Sequence, residues 1–290
     1  MPEMPEVQGL VDFLAMRTTG ATVARAAVSA ISALKTFDPP LSALAGRAVS
    51  GVRRHGKFVD LALATADDSI HLIFHLAKAG WLRWYDEAPS APVRPGKSPI
   101  ALRVAFDDGS GFDLTEAGTK KSLAVYVVRD PADVPGVARL GPDPLDPAFT
   151  REAFAAILDG RRTQIKGLLR DQGVIAGIGN AYSDEILHAA RMSPYAPAGG
   201  LGNEGTTRLY DAMQTTLREA VTEASGKPPA DLKDAKRRGM RVHGRRGEAC
   251  PVCGDTVLSV FFADRSLEYC PTCQTGGKPL ADRRLSRLLK

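Results

Sequence analysis

Residues 250–273 read CPVCGDTVLSVFFADRSLEYCPTC and contain all four cysteines of the chain. Cys250 and Cys253 form one Cys-x-x-Cys pair, Cys270 and Cys273 form a second, and sixteen residues separate the two pairs. This spacing is typical of a zinc site with four thiolate ligands. Two disulfides are the alternative, which a cytosolic chain without other cysteines disfavours. We therefore predict one structural Zn²⁺ bound by the four cysteines.

The segment between the cysteine pairs predicts a β-hairpin. Residues 256–262 and 266–269 are rich in strand-forming residues, and Ala263, Asp264 and Arg265 are available for the turn. Zinc would then hold the base of the hairpin, with Arg265 at its tip. An arginine held at a rigid tip can reach a phosphate or a groove of a nucleic acid. A zinc ribbon alone is common, however, and does not define a function.

Positive charge is concentrated around this segment. The 290-residue chain has a formal net charge of +5, and residues 231–290 hold 13 Lys or Arg against 7 Asp or Glu. A basic tail on a neutral body is commonly a solvated surface, and the charge alone does not identify a partner. The hydrophobic content of 44% is enough for two domains and a small module.

Membrane and export signals are not apparent in the sequence. No stretch approaches the roughly 18 uncharged apolar residues of a membrane span. The N-terminus lacks the basic, apolar and small-residue regions of a signal peptide. We therefore expect a cytoplasmic protein that has no membrane partner.

The chain upstream of the basic tail changes pattern three times. Residues 5–18 begin with a proline at a plausible first helical position, and apolar residues recur with helical spacing, which predicts a short amphipathic helix. Residues 22–130 contain short strand-like runs separated by turn signals, which predict a β-sandwich or barrel. Five prolines within residues 131–147 predict an ordered, non-helical connection, and residues 148–225 have helical periodicity. The predicted strands are 22–28, 58–63, 70–75, 81–85, 102–106, 112–114 and 123–128.

The helical segment contains a second informative string, GVIAGIGNAYSDEIL at residues 173–187. Gly177 and Gly179 allow a tight turn with exposed amides, and Asn180 can cap the helix that follows. Such a helix start binds anions, although a simple interhelical turn is the alternative. The string is not a dinucleotide-binding fingerprint, because no strand precedes it, and no Gly-Lys-Ser/Thr follows as in a nucleotide-binding loop.

Five motifs spread over nearly the whole chain resemble, in order, those of the formamidopyrimidine-DNA glycosylase and endonuclease VIII family. They are PEMPEV at 2–7, RHGK at 54–57, GIGNAYSDE at 177–185, RVHGR at 241–245 and the four-cysteine finger with Arg265. The chain resembles a divergent bacterial member. The resemblance implies a multidomain α+β fold. Its expected parts are an N-terminal β-sandwich with a terminal helix (1–130), a proline-rich linker (131–147), a helix-two-turn-helix domain (148–230) and a basic zinc-finger β-hairpin domain (231–290).

The family implies a bifunctional DNA glycosylase and abasic-site lyase of base excision repair. A penultimate proline favours removal of Met1, which would leave Pro2 with a free secondary amine. The reference pKa of an α-amino group is about 8, so an appreciable fraction of this amine is neutral near pH 7, whereas an ordinary lysine is mostly protonated. The neutral amine would attack deoxyribose C1′, expel the damaged base and form an iminium, which promotes β- and then δ-elimination of the flanking phosphates.

The resemblance also implies roles for individual side chains. Glu3 resembles the family acid that protonates the opening sugar ring, and Glu6 resembles a second, supporting carboxylate. Lys57 matches the lysine that contacts the lesion phosphate and assists proton transfer. The remaining assignments are Arg265 with the catalytic set, His75, Asn180 and Lys166 with DNA binding, and Glu185 as a supporting residue. Plainer alternatives are a helix cap for Glu3, a solvated strand end for Lys57 and a core histidine for His75.

Two loops depart from the family pattern. Residues 75–80 read HLAKAG where the family has His-Leu-Gly-Met-Ser-Gly, so Lys78 replaces the methionine that fills the gap left by an extruded base. Residues 115–121, TEAGTKK, lack the family's orphan-base arginine and wedging aromatic residue. Such side chains offset part of the cost of base flipping, which is about a few kcal/mol. Either Lys78, Lys120 and Lys121 hold the DNA by charge, or the substrates are already unpaired.

The lesion itself stays open at this point. Only 14 residues separate Ser225 from Met240, which is short for the lesion-capping loop of enzymes that excise 8-oxoguanine. Oxidised pyrimidines, ring-opened purines, abasic sites and an unusual adduct therefore remain candidates. Two other functions also remain: a lesion-binding or DNA-architectural protein of the same fold with weak or no base excision, and a zinc-ribbon nucleic-acid adaptor. The expected partner is damaged DNA, duplex or unpaired, and we expect a monomer associated with the nucleoid.

Overall fold

The computed structural model describes residues 1–93, 98–118, 120–262 and 265–281. The chain forms two compact units, Met1–Leu140 with Ala224–Lys233, and Gly141–Glu223 with Asp234–Lys290. The boundaries 1–130, 131–147, 148–230 and 231–290 remain predictions. In the described part of the chain, no helix combines the length and apolarity that a bilayer-spanning segment needs.

The first unit is a β-sandwich that carries the terminal helix. The helix is α1, Met4–Thr18. The strands are β1 Val23–Val28, β2 Ala48–His55, β3 Phe58–Ala64, β4 Ser69–His75, β5 Gly80–Tyr85, β6 Ile100–Phe106, β7 Gly111–Glu116 and β8 Ala124–Val128. One sheet has the strand order β1-β6-β7-β5 and the other β2-β3-β4-β8, and neighbouring strands are antiparallel. The predicted sandwich is confirmed.

The core of this unit lies between the sheets and under α1. Alternate residues of β3, namely Val59, Leu61 and Leu63, are almost fully buried and share one apolar cluster with Leu10 and Leu14 of α1. Burying such side chains stabilises the fold by about 1.5–3 kcal/mol each. The core therefore fixes α1, and with it the N-terminal residues, against the sandwich.

Strand β2 was not among the predicted strands. A register shift between Val49 and Gly51 interrupts the alternation, and the strand ends in three polar residues, 53–55. A bulge of this kind hides the period of two on which strand prediction depends. The strand matters because it leads directly into Lys57.

The prediction of a non-helical connection after residue 130 was wrong over its first part. A 3₁₀ turn spans Pro131–Asp133 and a short helix, α2, spans Pro135–Ala138. Each begins with proline, whose missing N–H costs nothing at the first helical position. The Asp130 side chain accepts a hydrogen bond from the Ala132 N–H and starts the first turn. Val134 then packs on Ile73 and Val128.

The second unit is helical and ends in the finger. Its helices are α3 Arg151–Leu158, α4 Ile165–Arg170, α5 Asn180–Ala189, α6 Gly202–Ala224 and α7 Pro229–Gly239. The finger contains β9 Leu258–Phe261, β10 Ser266–Tyr269 and the short helix α8 Pro271–Thr275. The predicted hairpin is present, although Ala263 and Asp264 of the predicted turn lie outside the described residues.

Residues 224–233 belong to the first unit although most of α6 and α7 belongs to the second. Leu232 is 1% exposed and joins the sandwich core. A Cβ at Gly9 would lie 2.9 Å from the Ala224 carbonyl oxygen, so only glycine permits this approach to α1. The segment between Ser225 and Met240 is therefore mostly a docked helix, which the sequence pattern did not predict.

Candidate active site and zinc finger

The N-terminal residues are buried at the start of α1. Glu3 and Glu6 are 2% and 3% exposed, and Pro2 is also buried. The Glu3 N–H donates to Glu6 Oε2 at 2.8 Å, and the Glu3 side chain accepts from the Glu6 N–H. This reciprocal capping box fixes both carboxylates in the first helical turn. The helix-cap alternative therefore holds for Glu3, and it is compatible with a chemical role because it fixes the side chain.

Lys57 lies in the β2–β3 turn of the same unit. Gly56 has a φ of 55°, and Lys57 is only 8% exposed. Arg54 links this turn to the helix, because its Nε donates to Gln8 Oε1 at 2.8 Å and its Nη1 to the Gly56 carbonyl at 3.1 Å. The N-terminal half of α1 therefore lies beside the turn that carries Lys57.

His75 ends β4 and pairs in register with Phe58, the residue after Lys57. Its Nδ1 accepts a hydrogen bond from the Ala77 N–H at 3.2 Å, so the neutral ring carries its hydrogen on Nε2. Burial, together with the nearby Lys57 ammonium, lowers the pKa of His75 to about 4. His75 is thus a neutral Nε2–H donor at physiological pH.

This tautomer leads to a prediction for DNA binding. We expect His75→Ala to weaken binding about 2- to 13-fold, the value of a hydrogen bond worth ~0.5–1.5 kcal/mol, and His75→Gln to lose less because its amide can still donate. Because the donor is neutral, the salt dependence of the dissociation constant should not change. Fluorescence anisotropy at several salt concentrations, between pH 6.5 and 8, measures both quantities. A smaller salt slope for His75→Ala would show that the imidazolium is the bound form.

Lys78 lies at the tip of a tight turn after β4. The Gly80 N–H donates to the Leu76 carbonyl at 2.8 Å, and Ala77 has a φ of 52°. A Cβ at Gly80 would lie 2.2 Å from the same carbonyl oxygen, so the turn requires glycine there. Lys78 itself is exposed.

The loop after β7 is closed by a buried carboxylate. Glu116 is 3% exposed, and its Oε1 accepts from the backbone N–H groups of Ser122 and Leu123 at 2.7 and 3.0 Å. Lys120 and Lys121 are both exposed, and Lys121 donates from Nζ to the Glu116 carbonyl. Thr119 lies outside the described residues. Of the two predicted lysines, Lys121 therefore helps to hold its own loop.

The glycine-rich turn of the second unit precedes α5. Gly177 has a φ of 86°, and its N–H donates to Gln172 Oε1 at 2.9 Å, while Gln172 Nε2 donates to the Ile178 carbonyl at 2.7 Å. The prediction that Asn180 caps the helix was wrong, because Gly179 is the N-cap residue and α5 begins at Asn180. The Asn180 side chain instead donates from Nδ2 to the Ser266 carbonyl of β10 at 2.8 Å.

Lys166 lies inside the second unit rather than on its surface. It is 6% exposed, and Nζ contacts Asp184 Oδ1 at 2.6 Å, Ser183 Oγ at 2.7 Å and the Asn180 carbonyl at 3.1 Å. An ammonium group has three hydrogens to donate. These three contacts give the buried ammonium a structural role inside the second unit, and the assignment of Lys166 to DNA binding stays a prediction.

Glu185 supports the backbone that leads into the finger. It is 4% exposed, and its carboxylate accepts from the N–H groups of Arg241, Val242 and His243 at 2.8, 3.0 and 2.8 Å. Three backbone donors on one carboxylate fix the RVHGR motif to α5. This geometry agrees with a supporting function, which stays a prediction.

His243 and two carboxylates form a cluster that the sequence did not predict. His243 Nδ1 lies 2.8 Å from Asp184 Oδ2 and 2.9 Å from Glu268 Oε2. Burial alone would lower the pKa of His243, but the two carboxylates outweigh it and raise the pKa to about 9. Burial would raise the pKa of Glu268, and the contact with His243 instead lowers it to about 2. The imidazole is therefore a cation at neutral pH.

The four cysteines converge as predicted. All four Sγ atoms lie within 4.8 Å of one another, with Cys250 and Cys273 3.9 Å apart and Cys253 and Cys270 3.3 Å apart. A tetrahedron with Zn–S bonds of about 2.3 Å has edges of about 3.8 Å, so the donor set fits zinc. His188 Nε2 of α5 lies 3.3 Å from Cys250 Sγ, within hydrogen-bond reach of that ligand.

Zinc removal should affect the finger before the sandwich. Among the described residues, the apolar cluster next to the ligands comprises Val242, Val257 and two of the cysteines, and the hairpin adds a second small cluster of Val260, Leu267 and Tyr269. Clusters of this size leave the finger dependent on its metal. We expect one zinc per chain and at least about tenfold weaker DNA binding after chelation, a loss of ~1.4 kcal/mol. Metal analysis, anisotropy and thermal unfolding measure these effects, with zinc add-back as the control. Unchanged affinity for DNA after complete zinc loss would show that the finger does not contribute to DNA binding.

Arg265 directly precedes β10. Its guanidinium carbon lies 5.4 Å from the ring centre of Phe262, across the hairpin turn. The strand that follows Arg265 is attached to α5 through Ser266 and Asn180. The side chain is thus carried by a braced strand.

Three family models match the chain in the predicted order. The formamidopyrimidine-DNA glycosylase N-terminal domain matches residues 1–122, the H2TH domain of the same enzyme matches 140–228, and a zinc finger found in FPG and IleRS matches 247–276. A formamidopyrimidine-DNA glycosylase of Roseiflexus sp. (strain RS-1) is 34% identical over 299 residues, covering 94% of this chain and 100% of that protein. An uncharacterized formamidopyrimidine-DNA glycosylase-like protein of Mycobacterium tuberculosis is 56% identical over 159 residues, covering 55% of this chain and 99% of that protein.

Solved structures have the same fold. The crystal structure of MutM (Fpg) from Thermus thermophilus superposes with a TM-score of 0.78 at 29% identity, covering 96% of this chain and 100% of that one. Lactococcus lactis Fpg, solved with DNA containing an abasic site, gives 0.81 at 24% identity over 94% and 99% of the chains, which supports the fold alone. The chain belongs to the formamidopyrimidine-DNA glycosylase family. The family consists of DNA repair glycosylases with abasic-site lyase activity, so the predicted enzyme class, fold and zinc finger are confirmed.

Proposed function

We propose that this protein excises damaged bases through an iminium at Pro2 and cleaves the resulting abasic strand by β/δ-elimination. The observation that carries the proposal is the buried start of α1, where the capping box fixes Glu3 and Glu6 directly after Pro2. Fixed reacting groups in a buried site favour catalysis because their orientation needs no further ordering.

The proposed reaction begins with the neutral Pro2 nitrogen, after loss of Met1. This nitrogen attacks C1′ and the glycosidic bond breaks, so that the base leaves with the electron pair and takes up a proton, while the Pro2 nitrogen gives up its own N–H proton. Glu3 protonates the ring oxygen O4′, the C1′–O4′ bond breaks, and a Pro2–C1′ iminium forms. Loss of a C2′ proton then expels the 3′ phosphate, a further elimination expels the 5′ phosphate, and water hydrolyses the iminium to regenerate Pro2.

Each unit also offers candidate residues for contacts with DNA phosphates. In the first unit, Lys57 supplies a charge beside α1 and His75 a neutral Nε2–H donor. In the second unit, Arg265 and the remaining amide hydrogen of Asn180 are the candidates. Exposed Lys78 and Lys120 would add charge without reading sequence.

The proposed substrate is damaged DNA, with abasic sites among the lesions and either duplex or unpaired strands. The 76–80 turn carries a lysine at its tip, and the loop after β7 is closed by Glu116. Both features support an enzyme that does not require the bases around the lesion to be stacked. The abasic-site lyase activity of the family favours abasic sites among these lesions. We propose that the enzyme acts as a monomer in the cytoplasm, at the nucleoid.

Borohydride trapping on abasic-site DNA tests the proposal. The wild-type protein should form a covalent adduct and, without borohydride, should cleave the strand to β- and δ-elimination products. Oligonucleotides that carry oxidised pyrimidines, ring-opened purines or 8-oxoguanine, in paired and bubble contexts, then identify the lesion. Tight lesion binding without any adduct would favour the alternative, a lesion-binding protein of the same fold.

A further inference from the structure

A buried group of four charged side chains connects the helical part of the second unit with the finger hairpin. Its members are Lys166 of α4, Asp184 of α5, His243 of the RVHGR motif and Glu268 of β10. The three side chains other than His243 are at most 7% exposed, and the His243 side chain is 27% exposed. We infer that His243 is a positioning residue for Arg265, because it attaches the strand that carries Arg265 to α5.

The contacts make His243 a bridge between the two carboxylates of this group. Its Nδ1 hydrogen bonds to Asp184 Oδ2 at 2.8 Å, while Glu268 Oε2 lies 2.9 Å from the same nitrogen as an ion pair. Asp184 Oδ1 receives Lys166 on its other side. The carboxylates of Asp184 and Glu268 approach each other within 4.8 Å, so the imidazolium compensates two charges that would otherwise repel.

Charge balance explains why the bridge needs a cation. Burial raises the pKa of Asp184, and the neighbouring Lys166 and His243 oppose that rise. With both carboxylates ionised and His243 protonated, the group contains two positive and two negative charges and is neutral. Without that cation, two buried carboxylates face each other with only Lys166 to compensate them. An uncompensated buried charge is strongly unfavourable, so the hairpin would move to expose Glu268 to water.

The bridge acts at the strand that begins next to Arg265. Strand β10 spans Ser266–Tyr269, so Glu268 is three residues from Arg265. The Ser266 carbonyl is held independently by Asn180 at 2.8 Å. Two attachments, at the first and third residues of this four-residue strand, fix its direction and therefore the point from which Arg265 extends.

The inference rests on the proposed contact between Arg265 and a DNA phosphate. A double-mutant cycle on the full zinc-loaded chain tests it, with duplex DNA that contains a tetrahydrofuran abasic analogue as the probe. We expect His243→Gln to weaken binding at least about tenfold and to lower the salt slope by about one, as loss of one phosphate contact would. In an Arg265→Ala background, the same change should cost less than about twofold, because the contact is already absent.

A second variant separates positioning from general damage to the fold. His243→Gln with Glu268→Gln removes one positive and one negative charge, so the group is neutral again and binding should recover to within about threefold of wild type. Zinc content should stay at one per chain throughout. If His243→Gln loses zinc, Glu268→Gln replaces it in the double-mutant cycle with Arg265→Ala. Glu268→Gln removes the ion pair between His243 and β10, while His243 and Asp184 remain paired.

Additive losses of His243→Gln and Arg265→Ala would overturn the inference, and so would failure of the double glutamine variant to recover. Borohydride trapping at saturating protein keeps this result separate from the proposed function. A wild type that forms no adduct contradicts the proposed chemistry, whereas a normal adduct with an additive cycle contradicts only the role of His243.

Discussion

Replacing Pro2 with glycine is expected to slow formation of the borohydride-trapped adduct on abasic-site DNA by at least about 100-fold, or ~2.7 kcal/mol of transition-state stabilisation. Proline offers a secondary amine on a rigid ring, and Pro2 is buried beside the capped turn of α1. Glycine leaves a primary amine on a backbone with much more rotational freedom, so less of the population is correctly oriented. Single-turnover trapping on a denaturing gel measures the rate.

The matched control is Pro5→Ala. Pro5 is also buried in the first turn of α1, but its nitrogen is inside the chain and cannot attack. Alanine is a good helix former, so trapping should stay within about threefold of wild type. A Pro2→Gly variant that traps at the wild-type rate, with Met1 removed, would show that another amine is the nucleophile.

Replacing Glu3 with glutamine should separate the two activities of the enzyme. We expect excision of a damaged base to fall about 10²- to 10⁴-fold, the usual contribution of a general acid, because glutamine cannot donate a carboxyl proton. Cleavage of a preformed abasic site should fall less than about tenfold, because its sugar ring already opens without loss of a base. Glutamine can still accept the Glu6 N–H, so the capping box and the fold should survive.

Glu6→Gln serves as the control for the capping box. Its amide oxygen can still accept the Glu3 N–H that Glu6 Oε2 accepts now, and we expect both activities to stay within about tenfold of wild type. Gel assays on one lesion duplex and one abasic-site duplex measure both variants. Equal losses of excision and cleavage in Glu3→Gln would mean that Glu3 acts only through the structure of the N-terminus.

The parts of the fold that the sequence predicts are those with local signals. The zinc site follows from two Cys-x-x-Cys pairs, and the sandwich follows from alternating strands with turn residues between them. The start of α1 was predicted at Pro5 and lies at Met4, within the usual spread of helix ends. These features depend on neighbours within a few residues, so pattern and composition suffice.

The missed features depend on contacts between distant residues. Asp184 and His243 are 59 positions apart, and no local period marks them as partners. Lys166 was assigned to DNA binding from the family resemblance alone, and no local pattern showed that its ammonium is buried against Asp184. Helix α7 has a polar composition, and Leu232 contacts a core built largely from residues before 130.

The candidate site was predicted only in part, because sequence motifs identify residues but do not show their contacts in the folded chain. Motif resemblance identified Pro2, Glu3 and Lys57, and all three are in the first unit, with Arg54 linking α1 to the Lys57 turn. The tautomer of His75 could not be predicted, because it depends on the hydrogen bond that the Ala77 N–H donates to His75 Nδ1. The catalytic roles of Pro2, Glu3 and Lys57 are proposals that activity measurements test.

Peptide mapping of the borohydride-reduced adduct tests the central claim most directly. The wild-type protein is trapped on abasic-site DNA, digested with nuclease and protease, and analysed by mass spectrometry. We predict that the chain begins at Pro2 and that the reduced sugar remnant is attached to its nitrogen. A remnant on Lys57 or any other lysine, or an adduct on a chain that retains Met1, would contradict the account.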